Sequence, residues 1–211
     1  FVGIGESSLE NALVDLISNQ TNPTLATYAK DGELTLRITA KGNTDEEIDL
    51  LIDPVVKEVE GRLKKYIYSY TGETLEEVVA NMLLNNNLTI SVAESCTGGL
   101  LSSKFTSISG VSKAFDRGII TYSNTAKIEE LGVNEATLKA HGAVSEETAM
   151  EMAKGIKNAA NTDIAVSITG IAGPTGGTPE KPVGLVYVGI ATNNTCLVKK
   201  LNLSGDRRFS D

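Results

Sequence analysis

The residues of this chain whose types and spacing could do chemistry begin at Ser95, inside Ala93-Glu94-Ser95-Cys96-Thr97-Gly98-Gly99. A serine hydroxyl becomes a nucleophile when a base takes its proton and free main-chain N–H groups hold the oxyanion that its attack creates. Bases are few here. His141 is the single histidine and stands beside Gly142 in a turn, where an exposed structural imidazole is the ordinary case. A Ser-His-Asp triad would have to use it, so a carboxylate or a lysine is the better partner for Ser95. Lys127 lies in an informative place, one helical turn after Tyr122-Ser123-Asn124 at the end of another strand. It can act as a base only when neutral, which requires desolvation or nearby positive charge. The alternative is a solvated surface lysine. For Ser95 itself the alternative is a plain helix N-cap, and Cys96 is a second candidate nucleophile.

Two further features suit an anionic ligand. The segment Gly170-Ile171-Ala172-Gly173-Pro174-Thr175-Gly176-Gly177 follows an apolar strand, where an open α/β sheet usually binds its ligand. No Lys-Ser/Thr follows its glycines and the spacing is not Gly-x-Gly-x-x-Gly, so neither a Walker loop nor a dinucleotide fingerprint is present. Glycines at 170, 173, 176 and 177 let a ligand approach the backbone closely, unless the segment is only a surface connection. Arg207, in Ser204-Gly205-Asp206-Arg207, offers a planar fork of donors to phosphate or carboxylate, or else pairs with a surface acid.

Positioning these residues is the work of the elements around them. Leu88-Thr89-Ile90-Ser91-Val92 reads as a buried strand and Leu100-Leu101-Ser102-Ser103-Lys104-Phe105 as the start of a helix running to about residue 108. Ser95 therefore sits on a strand-to-helix turn, which can surround a hydroxyl with free N–H donors from Thr97, Gly98 and Gly99. Downstream, 118–122 reads as a strand, 125–131 and 134–140 as helices, and 145–160 as a helix capped by Ser145. Strands follow at 163–168, 184–191 and 196–203, the last two joined by Asn193-Asn194. Alternating helices and strands closed by a hairpin predict a three-layer α/β/α domain with a mixed sheet.

Upstream the pattern is α-β-β-α, a small α+β module. A helix spans 6–19 and strands span 24–29 and 33–40 around Lys30-Asp31-Gly32. A capping box at Thr44-Asp45-Glu46-Glu47 opens a long helix to about residue 66, restarting or bending near Pro54. Residues 67–70 could add a short edge strand. Gly72 is the expected hinge, dividing the chain into 1–72 and 73–211, and Thr74-Leu75-Glu76-Glu77 is a second capping box.

Composition narrows the classes. The chain has 211 residues, 41% apolar, enough for two cores. A formal charge of −8, 5% aromatic residues and no Trp argue against general nucleic-acid or anionic-membrane binding. Two cysteines, Cys96 and Cys196, build no disulfide framework, so a reducing cytoplasm is the simpler setting. No apolar run reaches the length of a membrane span, no signal peptide is visible, and a chain beginning at Phe1 reads as part of something longer. The first module is similar to KH-like domains, yet no Gly-x-x-Gly occurs before residue 75 and acidic residues outnumber basic ones there. That favours a spacer or dimerisation role.

Taken together, Ala93–Gly99, Tyr122-Ser123-Asn124, His141-Gly142-Ala143-Val144-Ser145, Ser167-Ile168-Thr169-Gly170-Ile171-Ala172-Gly173-Pro174 and Gly205-Asp206-Arg207 resemble the C-terminal domain of the CinA competence/damage-inducible family. Gly3-Ile4-Gly5-Glu6-Ser7, Asn22-Pro23-Thr24 and the box at Thr44 look like that family's KH-type middle region. Its N-terminal molybdopterin-binding-like domain and its final helix have no counterpart here. The resemblance implies a cytoplasmic, homodimeric nicotinamide mononucleotide deamidase that uses no cofactor or metal. It implies Ser95 as nucleophile and Lys127 as general base, with Tyr122 and Thr169 in the catalytic site and Arg207 as a site residue. A nucleotide-binding module without catalysis and a nucleic-acid-linked competence protein are the alternatives.

Overall fold

The computed structural model describes residues 1–30 and 32–203. They divide into two compact units, Phe1–Val78 and the remainder from Val79.

In the first unit, helices α1 (Glu6–Ala12) and α2 (Val14–Ser18) precede an antiparallel pair, β1 (Thr24–Lys30) and β2 (Glu33–Thr39), and helix α3 (Asp45–Leu63). The helix expected over 6–19 is broken at Leu13, whose ψ of 16° leaves the helical region while its side chain stays in the core. Leu9, Leu13, Leu34, Val59 and Leu63 form that core. Thr44 caps α3 by accepting from Glu47 N–H at 3.2 Å, but the Glu47 carboxylate reaches back to Asn43 N–H rather than to Thr44. Helix α3 continues through Pro54 without restarting. The carbonyl that a proline orphans belongs to the residue four positions earlier, here Leu50, which is 75% exposed and can bond water instead. Residues 67–70 form no strand, because Phe1 and Val2 take the edge of β2 there: Leu34 N–H donates to Phe1 O at 2.9 Å and Val2 bridges to Glu33.

Helix α4 (Leu75–Asn85) follows a reciprocal capping box, with Thr74 N–H on Glu77 Oε2 and Glu77 N–H on Thr74 Oγ1. The second unit then runs β3 (Ile90–Glu94), α5 (Leu100–Thr106), β4 (Phe115–Ile120), α6 (Asn124–Leu131), α7 (Glu135–His141), α8 (Glu146–Ala160), β5 (Ile164–Gly170), β6 (Leu185–Ala191) and β7 (Cys196–Asn202). Strand β4 thus begins three residues before the expected Gly118 and ends before Tyr122.

The five strands order as β4-β3-β5-β6-β7, parallel among β4, β3 and β5 and antiparallel beyond. Both faces are covered. Ile90 and Val92 pack with Phe105, Val111, Ala80 and Leu83 on one side, while Ala93 and Ala165 pack with Leu131, Met152, Ala153 and Ile156 on the other. This is the three-layer α/β/α sandwich with a mixed sheet, preceded by a small α+β unit. The chain leaves β3 toward β4 on one flank and returns as β5 on the other, so the carboxyl end of β3 is a topological switch point.

Candidate active site

Three parallel strands deliver the site to one sheet edge. Beyond Glu94 the ladder gains one more bond, from Ser95 N–H to Ile168 O at 3.0 Å, and the chain then turns. Gly98 and Gly99, at φ +62° and +103°, make that turn. Alternation along β3 decides which way each side chain goes. Glu94 follows Ile90 and Val92 toward α5; Ser95 follows Ala93 toward the layer of α6 and α8.

Lys127 arrives from that layer. Ser123 caps α6, its hydroxyl accepting from Ala126 N–H at 3.0 Å, which fixes the helix start just past β4. One turn on, Lys127 is 1% exposed. Its Nζ lies 3.0 Å from Ser95 Oγ, 2.7 Å from Thr121 O and 3.4 Å from Tyr122 O. Burial pushes the ammonium below the usual lysine range, against an opposing effect of Cys96. Neutral lysine keeps two N–H donors and one lone pair. With the two carbonyls taking the donors, the lone pair is left for the Ser95 hydroxyl proton. The pair is a buried hydroxyl held against a buried amine, an arrangement that can serve as nucleophile and base.

The other expected residues are distributed around this pair. Tyr122 meets Lys127 through its main-chain carbonyl, and the residue as a whole is 63% exposed. Thr169 lies at the end of β5, one residue past the Ser95–Ile168 bond, with its hydroxyl donated to Ala143 O at 2.7 Å. The β3–β5 register, continued by one residue, sets Thr169 beside Ser95, with both side chains on the sheet face covered by α6 and α8. The turn glycines are also reassigned: Gly98 N–H donates to Ser95 O and Gly99 N–H to Glu94 Oε2, so neither is an available oxyanion donor. Of the three expected donors, only the Thr97 N–H is left uncommitted among the described residues. His141 ends α7 with Nδ1 3.2 Å from Glu147 Oε1, a surface pair rather than a triad member.

The glycine-rich segment connects antiparallel β5 and β6, with Ile171 and Gly184 exchanging bonds with Leu185 and each other at its base. It therefore opens onto no helix N-terminus. Gly170 and Gly177 are required by close packing, since a Cβ would fall 2.7 Å from Val186 Cγ2 and 2.7 Å from Val183 N respectively. Gly173 and Gly176 hold positive φ. Lys181 ties the segment down by donating to His141 O and Val144 O. Arg207 lies outside the described residues.

Sequence reading missed one member of this neighbourhood. Glu94 is fully buried, with Oε2 accepting from Gly99 and Leu101 N–H and Oε1 from Ser102 N–H and Oγ. Burial alone would raise its pKa, but these bonds, led by the Ser102 hydroxyl, outweigh burial and lower it. The available signal was an acidic residue closing an otherwise apolar strand, just ahead of a helix start.

Known proteins resemble this chain along most of its length. Residues 72–210 match the family model described as CinA C-terminal domain, and residues 1–69 that described as Damage-inducible protein CinA KH domain. A CinA-like protein from Kosmotoga olearia is 56% identical over 205 residues, 97% of this chain and 50% of that protein. A CinA-like protein from Dictyoglomus turgidum is 55% identical over 205 residues, with the same coverages of 97% and 50%. The chain thus spans about half the length of the curated relatives it matches. Among solved structures, the competence/damage inducible protein CihA from Agrobacterium tumefaciens is 40% identical at a TM-score of 0.61, over 67% of this chain and 90% of that one. A competence-damaged protein (CinA) superfamily protein from Escherichia coli is 30% identical at a TM-score of 0.63, over 68% and 86%.

Proposed function

The chain belongs to the CinA family, joining that family's KH domain to its C-terminal domain, and from this premise we propose that it is an amidohydrolase converting nicotinamide mononucleotide and water to nicotinic acid mononucleotide and ammonia. The observation that carries the reading is the 3.0 Å contact between buried Lys127 Nζ and Ser95 Oγ at the switch point of the sheet.

In this reading neutral Lys127 takes the Ser95 proton as Oγ attacks the carboxamide carbon. The carbonyl oxygen becomes an oxyanion, for which Thr97 N–H is the candidate main-chain donor; one such donor is typically worth about a hundredfold or more in rate. Lys127, now an ammonium, returns the proton to the departing nitrogen, and ammonia leaves. Water then attacks the acyl-Ser95 ester with Lys127 again as base, releasing the carboxylate and restoring the hydroxyl. The exposed Tyr122 offers a wall for the pyridine, and the 170–177 segment with Arg207 is our candidate for receiving the phosphate.

The test is ammonia release from nicotinamide mononucleotide by this chain, with Ser95→Ala beside it and a chelator in the buffer. We expect turnover that persists with chelator and disappears with Ser95→Ala. A folded chain that releases no ammonia, yet melts at a higher temperature with the mononucleotide, would replace the amidase with a nucleotide-binding module.

A further inference from the structure

Glu94 and Ser95 are consecutive and leave β3 toward opposite faces, so the nucleophile stands on a peptide unit whose other side is a buried carboxylate. That carboxylate has four donors: Gly99 N–H at 3.1 Å, Leu101 N–H at 3.1 Å, Ser102 N–H at 2.8 Å and Ser102 Oγ at 2.6 Å. Three of them are main-chain groups of the turn and of the first residues of α5, which a helix cannot satisfy internally. The Glu94 carbonyl meanwhile accepts from Thr121 N–H at 2.8 Å. Thr121 is the residue whose own carbonyl holds Lys127. One residue therefore grips the turn behind the nucleophile and, through its main chain, the strand end behind the base.

The surroundings are cut to fit. Ser102 presses so closely on β4 that a Cβ at Gly118 would lie 2.0 Å from Ser102 Oγ and 2.9 Å from Ser102 Cβ. The backbone of Gly118 needs no glycine for its φ, so space alone requires it. The protein also supplies its own anion at the start of α5, with Leu101 and Ser102 N–H already committed. Those two main-chain groups are therefore not available to a substrate anion.

We infer that Glu94 is the positioning residue of the site: its carboxylate gathers the Gly99–Ser102 donors and thereby fixes the turn that presents Ser95 Oγ to Lys127. The inference rests on Ser95 being the nucleophile. Glutamine at this position has the same shape but keeps one acceptor oxygen and turns an N–H₂ toward donors, so at least one main-chain N–H loses its partner. Ser102→Ala removes a single donor and leaves the carboxylate.

Three readouts test it: amide hydrogen exchange at residues 99, 101 and 102, labelling of Ser95 by a fluorophosphonate, and kcat and KM for nicotinamide mononucleotide. For Glu94→Gln we expect faster exchange at those three amides with β5 and β6 protection unchanged. Labelling and kcat should fall together by about a hundredfold, the scale of an ångström-sized misplacement, with KM nearly constant. Ser102→Ala should show the same pattern several-fold weaker. If Glu94→Gln does not fold, Ser102→Ala and Gly118→Ala must each slow labelling. Labelling and exchange at wild-type rates in the folded variants would overturn the inference. If the wild-type chain is neither labelled nor active, the amidase reading fails separately, and exchange at residues 99, 101 and 102 alone then decides whether Glu94 holds the turn.

Discussion

Lys127 Nζ lies 3.0 Å from Ser95 Oγ across 32 residues of sequence, with two main-chain carbonyls as its remaining bonds. A buried amine held this way loses its proton more easily than a solvated lysine, and that has an effect on stability as well as on rate. The folded-state pKa is lowered by burial, so the unfolded chain binds the proton more tightly than the native one. Stability then rises with pH between the folded pKa and the unfolded lysine value near 10.4, and the burden of the buried charge is greatest below the folded pKa. Replacing Lys127 by Met removes the charge and also the bonds to Thr121 O and Tyr122 O, but the loss of those bonds does not titrate. We expect Lys127→Met to lose activity by about a thousandfold and to gain on wild type in Tm as pH falls from 10 to 6. Calorimetry across that range checks the sign. The wild-type kcat/KM should rise with pH along one limb set by Lys127.

Much of this arrangement is legible in the amino-acid sequence alone. The Ser95 turn can be read because β3 is short, apolar and β-branched and because two glycines follow the serine. Caps at Thr74 and Ser145 mark their helices for the same local reasons. The partner of Ser95 is not fixed locally. Lys127 reaches it only because β4 pairs in parallel beside β3, a long-range choice that no local pattern of residues encodes. The positions of Tyr122 and Thr169 relative to the site, and the engagement of Gly98 and Gly99, depend on which atoms the turn folds onto. Pro54 misleads for a related reason, since whether a proline breaks a helix depends on where the orphaned carbonyl faces.

If Ser95 and Lys127 act as one unit, losing either should remove most of what the pair contributes. Ser95→Ala and Lys127→Ala are each expected to lower kcat by about a thousandfold or more, with the double variant little worse than the lower of the two. Steady-state ammonia release on the three proteins measures this. Additive losses would mean that the two side chains serve separate steps.

Lys181 holds a segment whose four successive carbonyls are all claimed by side chains: His141 O and Val144 O by Lys181, Gly142 O by Ser145 and Thr148, and Ala143 O by Thr169. Releasing two of these should loosen the 170–184 connection against its neighbours without touching the Ser95–Lys127 pair. Lys181→Met is therefore expected to raise KM by about tenfold with kcat within about twofold, on the scale of one or two hydrogen bonds near 1 kcal/mol each. It should also speed limited proteolysis in that connection, a change visible on a time course of cleavage.

Gly155 offers a test of how tightly Lys127 is held. It lies in the middle of α8, where replacing Gly by Ala ordinarily stabilises a helix by about 1 kcal/mol. Here a Cβ would fall 2.0 Å from Leu131 O and 2.8 Å from its carbonyl carbon, both main-chain atoms at the last turn of α6. Main chain cannot swing aside as a flexible side chain can, so α6 itself has to move. Lys127 rides on α6 one turn before Leu131, and a shift of that helix draws Nζ away from Ser95 Oγ. Gly155→Ala should reverse the usual sign, destabilising the fold by about 1–3 kcal/mol as other overpacked cores do, and it should lower kcat by one to two orders of magnitude. Urea denaturation and steady-state rates on the same preparation measure both effects. A variant more stable than wild type with full activity would show that the α6–α8 contact yields without displacing Lys127.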